Sequence, residues 1–354
     1  MNAPKRLDAT SRERRASVEV KRVNLALQGG SAHGAFTWGV LDRLLADERL
    51  EIQGISGTSA GAMNAAVLAA GATHAGRAGA RQALEAFWRR ISQAQPFNLL
   101  SPPPWERAVN GWNADHLPQF LLLDLISRVF SPYQLNPANR NPLRKVLGQS
   151  IDFECLREHP AVKLFISATN VRTGKVRVFK ERELSIDALL ASACLPFLFQ
   201  SVMIDGDPYW DGGYMGNPSI FPLIYGAESE DVIVVQVNPL QREETPTTAR
   251  EIMDRVNEIS FNSSLMREMR AIAFVSHLLE AERLDVDRYK RMRVHWIDSE
   301  QEMNKLGYAS KLNADWGFLT HLKEIGRQAA ERWLAANYAG IGQHSTVDIK
   351  AKFL

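Results

Sequence analysis

The sequence predicts an α/β fold built on a mainly parallel sheet. Two strand-like runs in succession each end in a glycine-bearing turn that opens a helix. Farther along, Val232 to Val237 (Val-Ile-Val-Val-Gln-Val) is a nearly continuous β-branched run, as expected of a strand buried on both faces. The chain has 354 residues, enough to bury a large core without disulfide or metal staples.

Val23 to Leu27 alternates apolar with polar or small residues and predicts the first strand. Gly29 to Gly34 is a glycine-rich turn, and Ala35, Phe36, Trp38, Val40, Leu41, Leu44 and Leu45 then recur at helical spacing. Ile52 to Ile55 predicts a second strand, Ser56 to Gly61 a turn, and Ala62 to Ala70 a helix ending at Gly71. The segment 96–147 is broken by prolines and rich in large apolar and aromatic residues, so it is no central strand. It reads either as a lid or cap of short helices or as an ordinary insertion packed on the core, with Phe120 to Leu123 its best candidate for contact with an acyl chain or a lipid interface. Val162 to Ala168 and Lys175 to Phe179 flank Thr173-Gly174 and predict a hairpin. Thr248 and Glu251 have capping-box spacing, and the helix they open is expected to face Ile252, Val256, Ile259, Leu265, Met269, Ile272 and Val275 inward. Arg293 to Ile297 suits a last strand, and Asn313 is expected to cap a final helix bearing Trp316, Leu319, Leu322 and Trp333.

Composition narrows the class of function. Lys plus Arg is 42 and Asp plus Glu is 40, a formal net charge of +2, too near neutral to suggest nucleic-acid binding. Two cysteines, Cys155 and Cys194, make neither a disulfide framework nor a four-cysteine zinc site. No run of 18 apolar residues suits a transmembrane helix. Residues 1–22 are charged and polar, with no apolar stretch of a secretory signal, and the three acidic residues Asp8, Glu13 and Glu19 argue against a transit peptide. They read as a solvated basic tail, or secondarily as an electrostatic tether to anionic lipid. The expected location is cytoplasmic, with peripheral contact to a membrane or lipid surface.

Three motifs carry chemistry. Gly57-Thr58-Ser59-Ala60-Gly61 is a G-x-S-x-G sequence between a strand and an Ala-rich helix, the context in which a serine hydroxyl is exposed on a strained elbow at a helix N-terminus. Gly57 and Gly61 are needed there because side chains would clash with the neighbouring strand and helix. Alone, the pentapeptide is equally well a small-residue turn. Gln28-Gly29-Gly30-Ser31-Ala32-His33-Gly34 is a second glycine-rich loop. Ala35 and Phe36 stand where a P-loop needs Lys and Ser or Thr, and Ser31 stands at the third position, counted from Gly29, where a dinucleotide fingerprint needs glycine, so both nucleotide readings fail. An oxyanion hole remains. The third motif, Asp211-Gly212-Gly213, is ordinarily just a turn, but a nucleophilic serine needs a base and a carboxylate on a glycine turn can approach closely. The eight histidines offer no comparable motif: His33 lies in the loop, and the others are scattered.

Together the three motifs, with Ala191-Ser192-Ala193-Cys194-Leu195-Pro196, resemble the patatin-like phospholipase family over about Val23 to Asn238. That pattern is a glycine loop, a G-x-S-x-G elbow shortly after it, an Ala-Ser-x-x-x-Pro block and a distal Asp-Gly-Gly. The resemblance implies a three-layer α/β/α fold and a Ser-Asp dyad. Ser59 would be the nucleophile and Asp211 its base, on the Gly212-Gly213 turn. Backbone N–H groups of Gly29, Gly30 and Ser31 would form the oxyanion hole, with no cofactor and no metal at the dyad. Two positions depart from the pattern: Ser31 replaces a glycine and His33 an Arg or Lys. The expected layout is a tail over 1–22, a catalytic domain over 23–240 and a mainly helical extension over 241–354. The expected activity is hydrolysis of lipid acyl esters of the phospholipase A or lysophospholipase type. The alternatives are an esterase or acyltransferase on another hydrophobic acyl ester, such as a storage polyester, and a non-catalytic scaffold binding lipid or protein. No nucleic-acid partner is expected, and oligomeric state is not legible.

Overall fold

The computed structural model describes residues 19–94, 103, 111–113, 115, 117–285 and 288–354. Most of the tail and much of the proline-broken stretch, including Phe97, Leu99 and Trp105, lie outside them. The chain opens with strand β1 (Lys21–Leu27), helix α1 (Gly34–Ala46), strand β2 (Leu50–Thr58) and helix α2 (Ala60–Gln93). Four helices follow: α3 (Pro118–Val129), α4 (Pro132–Leu135), α5 (Pro142–Ser150) and α6 (Phe153–Glu158). Each of the first three starts on a proline, whose fixed φ and missing N–H suit a first helical turn. Next come the hairpin β3 (Lys163–Asn170) and β4 (Val176–Lys180), helix α7 (Ile186–Ser192), the strands β5 (Val202–Ile204) and β6 (Asp207–Asp211), helix α8 (Phe221–Gly226) and strand β7 (Asp231–Val235). The chain finishes with α9 (Ala249–Glu280), β8 (Arg293–Ile297), α10 (Glu300–Met303), α11 (Trp316–Asn337) and α12 (Ile349–Phe353).

One eight-stranded sheet runs β5-β6-β3-β2-β1-β7-β8, with β4 also paired to β3. The pairs among β3, β2, β1, β7 and β8 are parallel, whereas β4, β5 and β6 join antiparallel. Period-two alternation makes three layers of it. Val23, Leu25 and Leu27 of β1 and Ile233 and Val235 of β7 enter the core that holds α1, α2 and α11. Ala26, Val232 and Val234 point the other way, into the core built with α8, α9 and α12. The fold is thus the predicted α/β class with a mostly parallel central sheet. No helix among the described residues is long and apolar enough to cross a membrane.

Several local expectations are corrected. Gly71 does not end its helix: α2 continues to Gln93 across a kink at Ala75 and Gly76, where Gly76 takes φ 58°. Gly71 instead permits close packing, since a Cβ there would lie 2.6 Å from the Gly79 carbonyl oxygen. Asp315, not Asn313, caps α11, accepting from the Phe318 N–H at 3.1 Å; it stands immediately before the first helical residue. On α9 only the second half meets the sheet. Leu265, Met269 and Ile272 are buried, whereas Ile252, Val256 and Ile259 are 45%, 51% and 55% exposed. The helix has 32 residues, and its first half runs beyond the core formed with β7 and β8. In α3, Phe120 is buried while Leu121 and Leu122 face solvent; the Leu123 side chain lies outside the described residues.

Candidate active site

Ser59 follows β2 directly and precedes the first residue of α2. The chain turns there by placing Ser59 at φ 53° and ψ −122°, a conformation that costs a non-glycine residue about 1–3 kcal/mol. Two contacts hold it: its N–H donates to Ser192 Oγ at 2.9 Å, and its carbonyl accepts from the Met63 N–H at 3.1 Å. The turn is tight because its flanks carry no side chain. A Cβ on Gly61 would overlap the Leu27 carbonyl oxygen, and one on Gly57 would lie 2.8 Å from the Ala62 nitrogen.

Sheet register brings Asp211 to this turn from far along the chain. Thr58 pairs with Ser167 of β3, and Asp211, the last residue of β6, pairs with the next residue, Ala168. The Asp211 N–H donates to the Cys194 carbonyl at 2.8 Å, and its own carbonyl accepts from Thr169 Oγ1 at 2.8 Å. Its carboxylate accepts from the Gly213 N–H at 2.7 Å through Oδ1. Gly212 must be glycine, since a Cβ would overlap the Ser167 carbonyl oxygen. The second oxygen, Oδ2, is buried without a hydrogen-bond partner. Burial pushes the Asp211 carboxyl up to about 7, against the Gly213 N–H and the nearby Ser59 hydroxyl, which both favour the charged form. Ser59 and Asp211 line the same cavity.

The glycine loop supplies fewer donors than expected. The Gly29 N–H donates to Asn217 Oδ1 at 2.7 Å, so Gly29 shapes the loop and is withdrawn from the set of free donors. The N–H groups of Gly30 and Ser31 make no hydrogen bond within the described protein. Ser31 adopts φ 51°, a left-handed conformation that a seryl residue tolerates only at some strain. Gln28 Oε1 accepts the N–H groups of Val237 and Asn238, each at 2.9 Å, and ties the loop to the end of β7.

His33 takes no place at the reacting centre. It is buried, with Nε2 2.7 Å from Ser310 Oγ and its ring edge-on to Phe318. Burial, with Lys311 and Arg242 adding to it, holds its pKa well below the usual imidazole range, so it is neutral.

Two adjoining cavities meet at Ser59. One, of about 130 Å³, is walled by Met63, Phe87, Trp88 and Ile91 of α2 together with Leu143 and Leu198. The other, of about 270 Å³, holds Gly30, Asp211, Tyr214, Asn238 and Glu258 and is bordered by Phe120 and Phe197. Ser31, Ser59 and Lys311 line both. Among the described residues no group of three or more His, Cys, Asp or Glu is placed to hold a metal ion. Asn217, Asn238 and Lys311 were not singled out from the sequence. Asn238 closes the β-branched run that names β7, but isolated Asn and Lys residues carry no motif.

Comparison with known proteins bears on the whole arrangement. A search of curated proteins finds no match. Among solved structures, VipD from Legionella pneumophila is similar at 16% identity and a TM-score of 0.42, covering 89% of this chain and 67% of that one. The type III effector protein ExoU is similar at 17% identity and a TM-score of 0.33, covering 90% of this chain and 54% of that one. The patatin-like phospholipase family model matches residues 25–224, more than half of the sequence and the part that carries the glycine loop, the Ser59 elbow and Asp211. This chain belongs to the patatin-like phospholipase family.

Proposed function

We propose that this protein is a serine-dependent lipid acyl hydrolase that cleaves carboxylic esters through a Ser59–Asp211 dyad. One observation carries the reading. A strained serine, a buried carboxylate with an unpartnered oxygen and two undonated backbone N–H groups all line one cavity. In the first step Asp211 accepts the proton of Ser59 as the hydroxyl oxygen attacks the ester carbonyl. The N–H groups of Gly30 and Ser31 stabilise the tetrahedral oxyanion, each donor of this kind being worth about 3 kcal/mol. The alcohol departs with the proton from Asp211, leaving an acyl ester on Ser59. Asp211 then takes a proton from water, which attacks that ester, and returns it to the Ser59 oxygen as the acid leaves.

The division of the cavity supports a substrate with one apolar and one polar end. The arm walled by Met63, Phe87, Trp88 and Ile91 suits the acyl chain, and the arm bearing Asn238 and Glu258 suits the alcohol part. Replacing Ile91 by Trp should shorten the acyl arm. The expected result is a fall of at least about tenfold in kcat/KM for an octanoyl ester relative to a butyryl ester, read from p-nitrophenyl substrates. Equal loss on both esters would remove that assignment.

The direct test uses an alkyl fluorophosphonate on the folded full-length protein, followed by mass spectrometry of products from mixed phospholipids, lysophospholipids and neutral esters. Label on a peptide containing Ser59, with free fatty acid among the products, supports the proposal. Absence of label on folded protein sinks it. Transfer of the acyl group to an added alcohol, without free acid, would favour the acyltransferase alternative.

A further inference from the structure

Lys311 lies on the Tyr308–Leu312 turn, after β8 and beyond the family match, yet its side chain borders both arms of the Ser59 cavity. Its ammonium donates one hydrogen bond, to Asn238 Oδ1 at 2.9 Å. Asn238 Nδ2 in turn donates to the Gly29 carbonyl oxygen at 2.7 Å, a contact buried in the protein. The Gly29 carbonyl and the Gly30 N–H belong to one peptide group, and that N–H is one of the two left undonated in the loop. A hydrogen bond to the oxygen of an amide withdraws electron density from its nitrogen and makes its N–H a stronger donor.

From this chain of contacts we propose that Lys311 and Asn238 are positioning residues that polarise the Gly29–Gly30 peptide, so that the C-terminal part of the chain tunes the oxyanion hole. The inference rests on the hydrolase reading above. It places a formal positive charge two hydrogen bonds from the peptide that stabilises the oxyanion. Burial lowers the Lys311 pKa and Arg242 adds to that, while Glu258, which Arg242 binds at 2.5 Å and Arg255 at 3.1 Å, and Asp254 oppose it. The turn that carries Lys311 is held against the loop by the neighbouring pair, Ser310 Oγ and His33 Nε2, at 2.7 Å. His33 is neutral, so within this link the cation comes from Lys311 and not from the loop itself.

Losing a whole oxyanion donor costs about 10²–10³ in kcat; weakening one by removing its polarising charge should cost about tenfold. The test compares wild type with Lys311→Gln, which keeps a donor for Asn238 without the charge, with Lys311→Arg, with Asn238→Leu, and with the double variant Lys311→Gln/Asn238→Leu. Kinetics use a neutral short-chain p-nitrophenyl ester. The expected result is a roughly tenfold fall in kcat for Lys311→Gln with KM within threefold. Lys311→Arg should recover most of that loss, and the double variant should be no slower than Asn238→Leu alone, because the two residues act in series. A rise in KM at unchanged kcat, multiplicative losses in the double variant, or no change at all would each overturn the proposal.

A second readout is independent of turnover. In protein labelled with ¹⁵N-glycine, the Gly30 amide proton should move upfield in Lys311→Gln and Asn238→Leu. If it does so in protein whose Ser59 neither reacts nor turns over, the relay stands and the hydrolase reading fails. If turnover is normal and the Gly30 resonance does not move, the relay fails and the hydrolase reading stands. Should Lys311→Gln not fold, Asn238→Leu with the same two readouts decides the question.

Discussion

Ser59→Ala is expected to lower kcat/KM for a p-nitrophenyl ester by roughly 10⁴–10⁶-fold, the scale on which removal of a serine nucleophile is felt elsewhere. The substitution removes the oxygen that forms the acyl ester and little else. Both backbone contacts of residue 59, to Ser192 Oγ and to the Met63 N–H, survive it. Alanine bears the φ of 53° no more easily than serine, so thermal stability should stay within about 1 kcal/mol. Glycine would relax that backbone, so Ser59→Gly should be equally inactive and about 1 kcal/mol more stable than Ser59→Ala. Hydrolysis by folded Ser59→Ala at the wild-type rate would refute the assignment of the nucleophile.

Asp211→Asn should likewise abolish turnover, and it should also stabilise the protein at alkaline pH. The asparagine carbonyl can still accept the Gly213 N–H that now meets Oδ1 at 2.7 Å, so the turn is preserved. What disappears is a charge that burial disfavours. In the unfolded chain this carboxyl loses its proton near the ordinary value of about 4, whereas in the folded protein it does so only at about 7. Between those values the folded state binds a proton that the unfolded state has lost. Wild-type stability from this group is therefore full below the lower value and declines as pH rises to the upper one, by at most about 4 kcal/mol. Asp211→Asn lacks that decline. Melting curves at pH 5 and pH 8 should show its advantage widening with pH; an advantage that shrinks would contradict the buried charge. The same titration governs activity, because the base must be ionised to accept the Ser59 proton. Wild-type kcat/KM should thus rise along an acid limb centred near 7, far above an ordinary carboxylate.

Much of this arrangement was legible in the sequence because it depends on local backbone form. A turn between a buried strand and a helix demands small residues, and Gly57 and Gly61 stand where a Cβ would strike backbone. The continuous β-branched run likewise told that β7 is buried on both faces. The misses are of another kind. Whether Gly29 keeps a free N–H is decided by Asn217, which reaches it across the fold, and no local pattern announces such a partner. Helical periodicity showed that α9 is amphipathic but not where its core ends, so Ile252, Val256 and Ile259 were assigned inward although they lie past the sheet. Asn313 and Asp315 are both capable caps, and only the position of the first helical residue chose between them. Lys311 matters through a carbonyl on another segment and leaves no trace in spacing.

The strand order also limits how this chain can be shortened. β1 lies between β2 and β7, and β7 begins at Asp231, past residue 224 where the family match ends. A fragment ending at residue 224 would retain Ser59 and Asp211 but expose one edge of β1, whose Val23, Leu25 and Leu27 are fully buried in the intact protein. An open, apolar edge strand recruits other chains. Such a fragment should self-associate and precipitate rather than serve as a minimal enzyme, so the smallest well-behaved piece of this protein must extend at least through β8.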